Sequence, residues 1–164
     1  MPVTNVDKNL DAHQLVVTSD FPAPVERIWQ FWTEPRQLEQ WWGPPTYPAT
    51  FTDFDFTPGG RVSYYMTSPE GEKFGGYWDI KSVEPTSRLT FSDGFADAEG
   101  NAAEGMPVGQ IVIEFAAHEG GTRVLSTTTY ASVEDLEKVL GMGMEEGLTL
   151  ATGQIDDILA AEAA

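Results

Sequence analysis

The sequence predicts an α+β fold in which one antiparallel sheet of about seven strands grips a long C-terminal helix. Three observations carry this reading. Across residues 49–130 the apolar side chains recur with period two between turn-forming clusters. Beyond Ser132, to about residue 161, Val133, Leu136, Leu140, Met144, Ala151, Ile155 and Ile158 recur at spacings that place them on one arc of a helix. No repeat or linker divides the chain, so a loose segment, residues 1–13, is expected to precede one domain, residues 14–162.

Residues 1–12 are polar and unpatterned, which reads as a loose terminus. Residues 14–21 alternate around Leu15, Val17 and Phe21 and predict the first strand. Pro24 suits the first turn of a helix, and Val25, Ile28, Trp29 and Trp32 follow at helical spacing. Pro35 opens a second short helix that carries Leu38 and runs into Trp41-Trp42 before Gly43-Pro44-Pro45 stops it. Six strands then fit residues 50–56, 61–67, 74–83, 88–92, 108–116 and 122–130, most of them joined by tight turns. One alternate set, containing Phe54, Phe56, Val62, Tyr64, Met66, Trp78, Ile80, Leu89, Phe91, Ile111, Ile113 and Phe115, should face the long helix. Asp53, Asp55, Arg61, Asp79, Lys81 and Glu114 take the other phase and should meet water, with Arg61 across the turn as partner to the two aspartates. Only the connection 93–107 exceeds hairpin length, and its lone apolar residues Phe95 and Met106 suggest a lid over the space between sheet and helix.

Ser132 followed by Asp135 forms a capping-box variant, so the start of the last helix is well marked. A continuous helix from there would be on the order of 40 Å long. Gly143 and Gly147 lie on its buried arc, each costing roughly 0.8–1 kcal/mol against alanine. Bare backbone there means either close approach to the sheet or space for a ligand.

Composition excludes several functions. An apolar fraction of 41%, with 12% aromatic residues, supplies a sizeable core. Twenty-six acids against nine bases give a formal charge of −17, which repels nucleic acid and anionic lipid. No apolar run can span a bilayer and the start lacks a signal-peptide pattern, so a cytoplasmic location is expected. The chain has no cysteine, and its two histidines, His13 and His118, lie in a loose start and a hairpin. Asp97, Glu99, Asn101 and Glu104 lack the glycine and final glutamate of a calcium loop. The diglycines Gly59-Gly60 and Gly120-Gly121 precede no helix and so cannot cradle phosphate. No catalytic residue, metal or cofactor is therefore assigned.

Several stretches resemble a known family. Ala23-Pro24-Val25 through Trp29, Phe31-Trp32-Thr33, Leu38 and Trp41-Trp42-Gly43-Pro44 are similar to the opening motif of bacterial START-like (SRPBCC) proteins related to the activator of the heat-shock protein 90 ATPase. Asp55-Phe56-Thr57-Pro58-Gly59-Gly60-Arg61, Gly76-Tyr77-Trp78-Asp79-Ile80, Gly121-Thr122-Arg123-Val124 and Gly143-Met144-Glu145-Glu146-Gly147 resemble its later landmarks in order. The likeness spans roughly residues 16–159. It implies a helix-grip fold: a curved sheet around a long C-terminal helix, two small helices at one end and, in many relatives, a cavity for hydrophobic molecules. One departure is Leu148, where the family usually carries an aromatic residue.

On that resemblance the expected function is binding of a small hydrophobic ligand between sheet and helix. The expected lining is Trp32, Trp42, Phe54, Phe56, Tyr64, Met66, Trp78, Phe91, Phe95, Ile113, Phe115 and Tyr130, with Gly143, Met144, Gly147, Leu148 and Ala151 as the floor. A chaperone is the alternative partner, in a stress-response role. A third reading is a cyclase or aromatase using Tyr64, Tyr77 and Tyr130. An ionisable side chain inside the cavity would separate conversion from simple carriage.

Overall fold

A computed structural model describes residues 2–163. It contains eight strands and four helices in the order β1 (Val3–Asn9), β2 (Gln14–Phe21), α1 (Val25–Thr33), α2 (Pro35–Leu38), β3 (Ala49–Phe54), β4 (Arg61–Thr67), β5 (Lys73–Glu84), β6 (Arg88–Ala96), β7 (Gly109–His118), β8 (Gly121–Thr129), α3 (Val133–Gly141) and α4 (Met144–Ala163). The strands form one open antiparallel sheet ordered β1-β2-β8-β7-β6-β5-β4-β3. The sequential hairpins expected from period two are present from β3 to β8, and β2 closes the series by pairing with β8. This is the helix-grip arrangement, with α1 and α2 inserted between β2 and β3 and the last helix packed on the sheet.

Four expectations outside the last helix are corrected. The start is not loose: residues 3–9 pair with β2 and add an eighth, edge strand. Its polar residues face water while Val3 and Val6 pack beside Leu15, Val17, Leu136 and Val139, so two valines suffice where an edge strand buries only one face. The second short helix ends at Leu38, and the backbone continues through turns in which the amides of Trp41 and Trp42 reach the Leu38 carbonyl. β6 runs four residues past Ser92, shortening the long connection. Arg61 meets Asp79, its register partner on β5, through paired bonds of 2.7 and 2.9 Å, rather than Asp53 or Asp55.

The C-terminal helix carries the correction that matters most. It is broken into α3 and α4 at Met142-Gly143, where Gly143 adopts φ +87°. The α3 cap is as expected, the Asp135 amide donating to Ser132 Oγ at 3.2 Å. At the other end the amides of Met142 and Gly143 turn back onto Lys138 and Leu140, a left-handed helix stop that glycine makes without a Cβ penalty. α4 then restarts and buries Ala151, Thr152 and Ile155 against the sheet.

The core is aromatic and solid under the first two helices. Trp32 packs against Trp41 at 4.6 Å and Phe115 at 5.4 Å between ring centroids, and Trp78 against Phe91 at 4.5 Å. Rings this close contribute about 0.5–1.5 kcal/mol per pair beyond the area they bury. The Trp41 indole donates to the Phe31 carbonyl at 2.8 Å, which allows a polar atom to be fully buried there.

Candidate functional site: a cavity at the helix break

Where the last helix breaks, it leaves a cavity of about 300 Å³ between α3, α4 and the face formed by β4 and β6. Trp42, Gly43 and Pro44 wall one side, Tyr64 and Met66 come from β4, and Asp93, Gly94 and Phe95 from β6. Pro107 and Tyr130 follow, and the helical side is Val139, Met142, Gly143, Met144, Gly147, Leu148 and Ala151. The wall between the last helix and the segment after α2 is fixed by Gln154, whose amide donates to the carbonyls of Gly43 at 2.8 Å and Trp41 at 3.2 Å. A wider surface groove shares Pro44, Tyr64, Met66, Phe95 and Met142 with the cavity and leads outward past Phe74 and Met106.

Of the residues expected to line a pocket, Trp42, Tyr64, Met66, Phe95, Tyr130, Gly143, Met144, Gly147, Leu148 and Ala151 do meet here. Trp32, Phe54, Phe56, Trp78, Phe91, Ile113 and Phe115 do not; they fill or pack against the aromatic core. The sheet residues among them have the expected phase, but they pack in one cluster with Ile28, Phe31 and Trp32 of α1, Leu38 of α2 and Ile155 of α4, which leaves no chamber there. Phe95 lies on β6 and Met106 on the groove, while Asp97 Oδ1 accepts the amides of Glu99 and Asn101 at 3.0 and 2.9 Å. Those acids thus build a turn, and among the described residues no cluster has the makings of a metal site. His13 sits in the β1–β2 turn and His118 at the end of β7, away from the cavity lining.

The sequence reading missed Asp93, the one acidic side chain among the described residues that line the cavity. Asp93 stands opposite Trp78 in the β5–β6 ladder, on the inward face. The Tyr64 hydroxyl donates to its Oδ1 at 3.2 Å. Tyr64 reaches it by lying across Gly76, its register partner on β5: a Cβ there would come within 2.4 Å of the tyrosine ring. Gly76 is therefore a close-approach glycine, the use that an isolated glycine in a strand commonly signals. Burial raises the Asp93 carboxyl to about 7, against a smaller opposing effect of the Tyr64 bond. Burial, then the neighbouring Asp93, raise the Tyr64 hydroxyl well above the usual tyrosine range. Tyr130 is raised by the same two causes and donates to the Met144 sulfur across the cavity at 3.6 Å. The Trp42 indole N–H lies near the Tyr64 oxygen but has no hydrogen-bond partner of good geometry among the described residues.

The arrangement is an apolar chamber with a carboxyl and hydroxyls at its sheet wall and an unpartnered N–H beside them. The family model for Activator of Hsp90 ATPase homolog 1-like protein matches residues 22–160. A crystal structure of a protein from Mycobacterium smegmatis is similar at 51% identity and TM-score 0.90, over 96% of this chain and 97% of its own. A solution NMR structure of a protein from Arthrobacter aurescens is similar at 42% identity and TM-score 0.92, over 97% and 92%. A crystal structure of a protein from Silicibacter pomeroyi, at 21% identity and TM-score 0.73 over 91% and 99%, shares the fold. No curated protein matches the sequence.

Proposed function

The chain belongs to the family of Activator of Hsp90 ATPase homolog 1-like proteins, and from that premise we propose that it binds a small hydrophobic molecule in the cavity at the helix break. The observation that carries this is the cavity itself: about 300 Å³, walled mainly by apolar side chains and lined by Met142, Gly143 and Met144 at the helix break. That size is at the lower end of small-molecule sites, and a few polar groups among apolar walls is their usual composition. Leu148 lines the cavity beside Gly147 and Ala151, so its side-chain volume sets part of the space available. Native mass spectrometry of gently purified protein, together with quenching of tryptophan emission by added hydrophobic probes, tests it. A bound species released on denaturation is expected, and Leu148→Trp should weaken binding at least about tenfold by filling the space. Absence of any bound species, with no probe saturating the parent protein, overturns the reading.

The Asp93–Tyr64 pair favours a second reading, conversion of the bound molecule. A carboxyl near pKa 7 exchanges protons readily at neutral pH, as a general acid or base must. Time-resolved mass analysis of the ligand recovered from the protein separates the two: an unchanged ligand means carriage.

A further inference from the structure

The cavity wall holds a carboxylate with no positive charge to meet it. Among the described residues no lysine, arginine or histidine lines the chamber. The groups that face Asp93 are the Tyr64 hydroxyl from β4 and, further off, the Tyr130 hydroxyl after β8, and neither is a cation. Asp135 on α3 adds a second negative charge near Tyr130. Asp93 Oδ1 accepts the Tyr64 bond, and Oδ2 accepts none from a side chain among the described residues. The Trp42, Tyr64, Phe95 and Tyr130 rings line the same chamber.

From this juxtaposition, and resting on the binding reading above, we infer that the ligand is a hydrophobic amine, its ammonium group held by Asp93 and the rings of Trp42 and Tyr64, its apolar body against Met66, Leu148 and Ala151. The chemistry favours this class over its neighbours. An anionic amphiphile would bring a second negative charge beside a partly buried carboxylate, in a chain already at −17. A neutral alcohol could hydrogen-bond Oδ2 but would leave the carboxylate's charge uncompensated in a weakly polar surround. An ammonium group supplies donors and charge together, and aromatic rings attract it further. A carboxyl that is easily protonated in the free protein would be held ionised by such a ligand.

Isothermal titration of the full chain with phenethylamine, phenethyl alcohol and phenylacetate tests the inference, since the three share a body and differ in head group. At about pH 8 the amine should bind about tenfold tighter than the alcohol, with phenylacetate weakest. At about pH 5.5, where Asp93 holds its proton, and in Asp93→Asn, the amine-to-alcohol ratio should fall below about threefold. Should Asp93→Asn lose its near-ultraviolet circular dichroism, the ratio and its pH dependence in the parent protein still decide. Equal affinity for amine and alcohol at high pH, or tighter phenylacetate, overturns the inference and leaves the cavity reading standing. Binding of none of the three overturns the inference, and the native mass measurement then decides the cavity reading separately.

Discussion

Asp93 occupies a ladder position opposite Trp78 where alternation alone calls for another apolar side chain. Its burial opposes folding at neutral pH, and the sign follows from proton counting. In the unfolded chain the carboxyl loses its proton near the ordinary 3.8, and in the folded chain near 7. Between those values the folded state binds more protons, so this residue lowers stability as pH rises from about 4 to about 7, and no further above that. The full effect is on the order of 4 kcal/mol at most. Asp93→Asn removes the titration while keeping the shape. Its stability relative to the parent should therefore rise between about pH 4 and pH 8, by about 1–4 kcal/mol in urea unfolding. A difference that stays constant with pH would show that folding does not raise the Asp93 carboxyl. The sequence reading ends the strand at Ser92 and begins the long connection at Asp93, which hides this residue. Gly94 is instead a strand residue whose missing side chain makes room for Tyr77.

The broken helix shows the same ambiguity for glycine at the level of an element. Gly143 and Gly147 are four apart and look equivalent on a helical wheel, yet they do different work. Gly143 is left-handed with open space around it, so a methyl group there is resisted by the backbone alone. Gly147 is helical, and a Cβ there would rest 3.6 Å from the Pro44 ring in ordinary contact. Gly143→Ala should thus destabilise the fold by about 1–2 kcal/mol. Gly147→Ala should stabilise it by up to about 1 kcal/mol through helix propensity, while reducing the cavity by one methyl. Thermal and chemical unfolding of the two variants checks the opposed signs. If both stabilise, the chain can form the continuous helix that periodicity suggests, and the cavity depends on no break. Gln154, by contrast, gives no local cue: its role in tying α4 to the Trp41 and Gly43 carbonyls depends on where α2 ends.

For the molecule as a whole the excess of acids is the dominant long-range force. At about 0.01 M salt the Debye length is roughly 30 Å, so charges across the domain repel one another; at about 0.15 M it is roughly 8 Å. Sodium chloride over that range should raise Tm by several degrees, corresponding to about 1 kcal/mol of relieved repulsion. A thermal scan in a salt series measures this, and an unchanged Tm would mean that local ion pairs such as Arg61–Asp79 already balance the field. Among the described residues no helix is long and apolar enough to cross a membrane.

Residue order alone decides the sheet, its sequential hairpins, the α1–α2 insertion and the aromatic composition of the core. Those features arise from interactions along a strand, a helical turn or a hairpin, so their periods and turn residues are written locally. Packing in three dimensions decides the rest. Whether Trp32 and Phe115 line a chamber or fill a core depends on the volume that α1 and α2 take up above the sheet. Whether Val3 and Val6 belong to a strand depends on the β2 edge waiting for a partner. Asp93 becomes a partly buried cavity carboxyl because Gly76 lets Tyr64 cross to it and because β6, α3 and α4 meet around one chamber. These are properties of space between elements distant in sequence, and no local pattern of residues encodes how much of it remains empty.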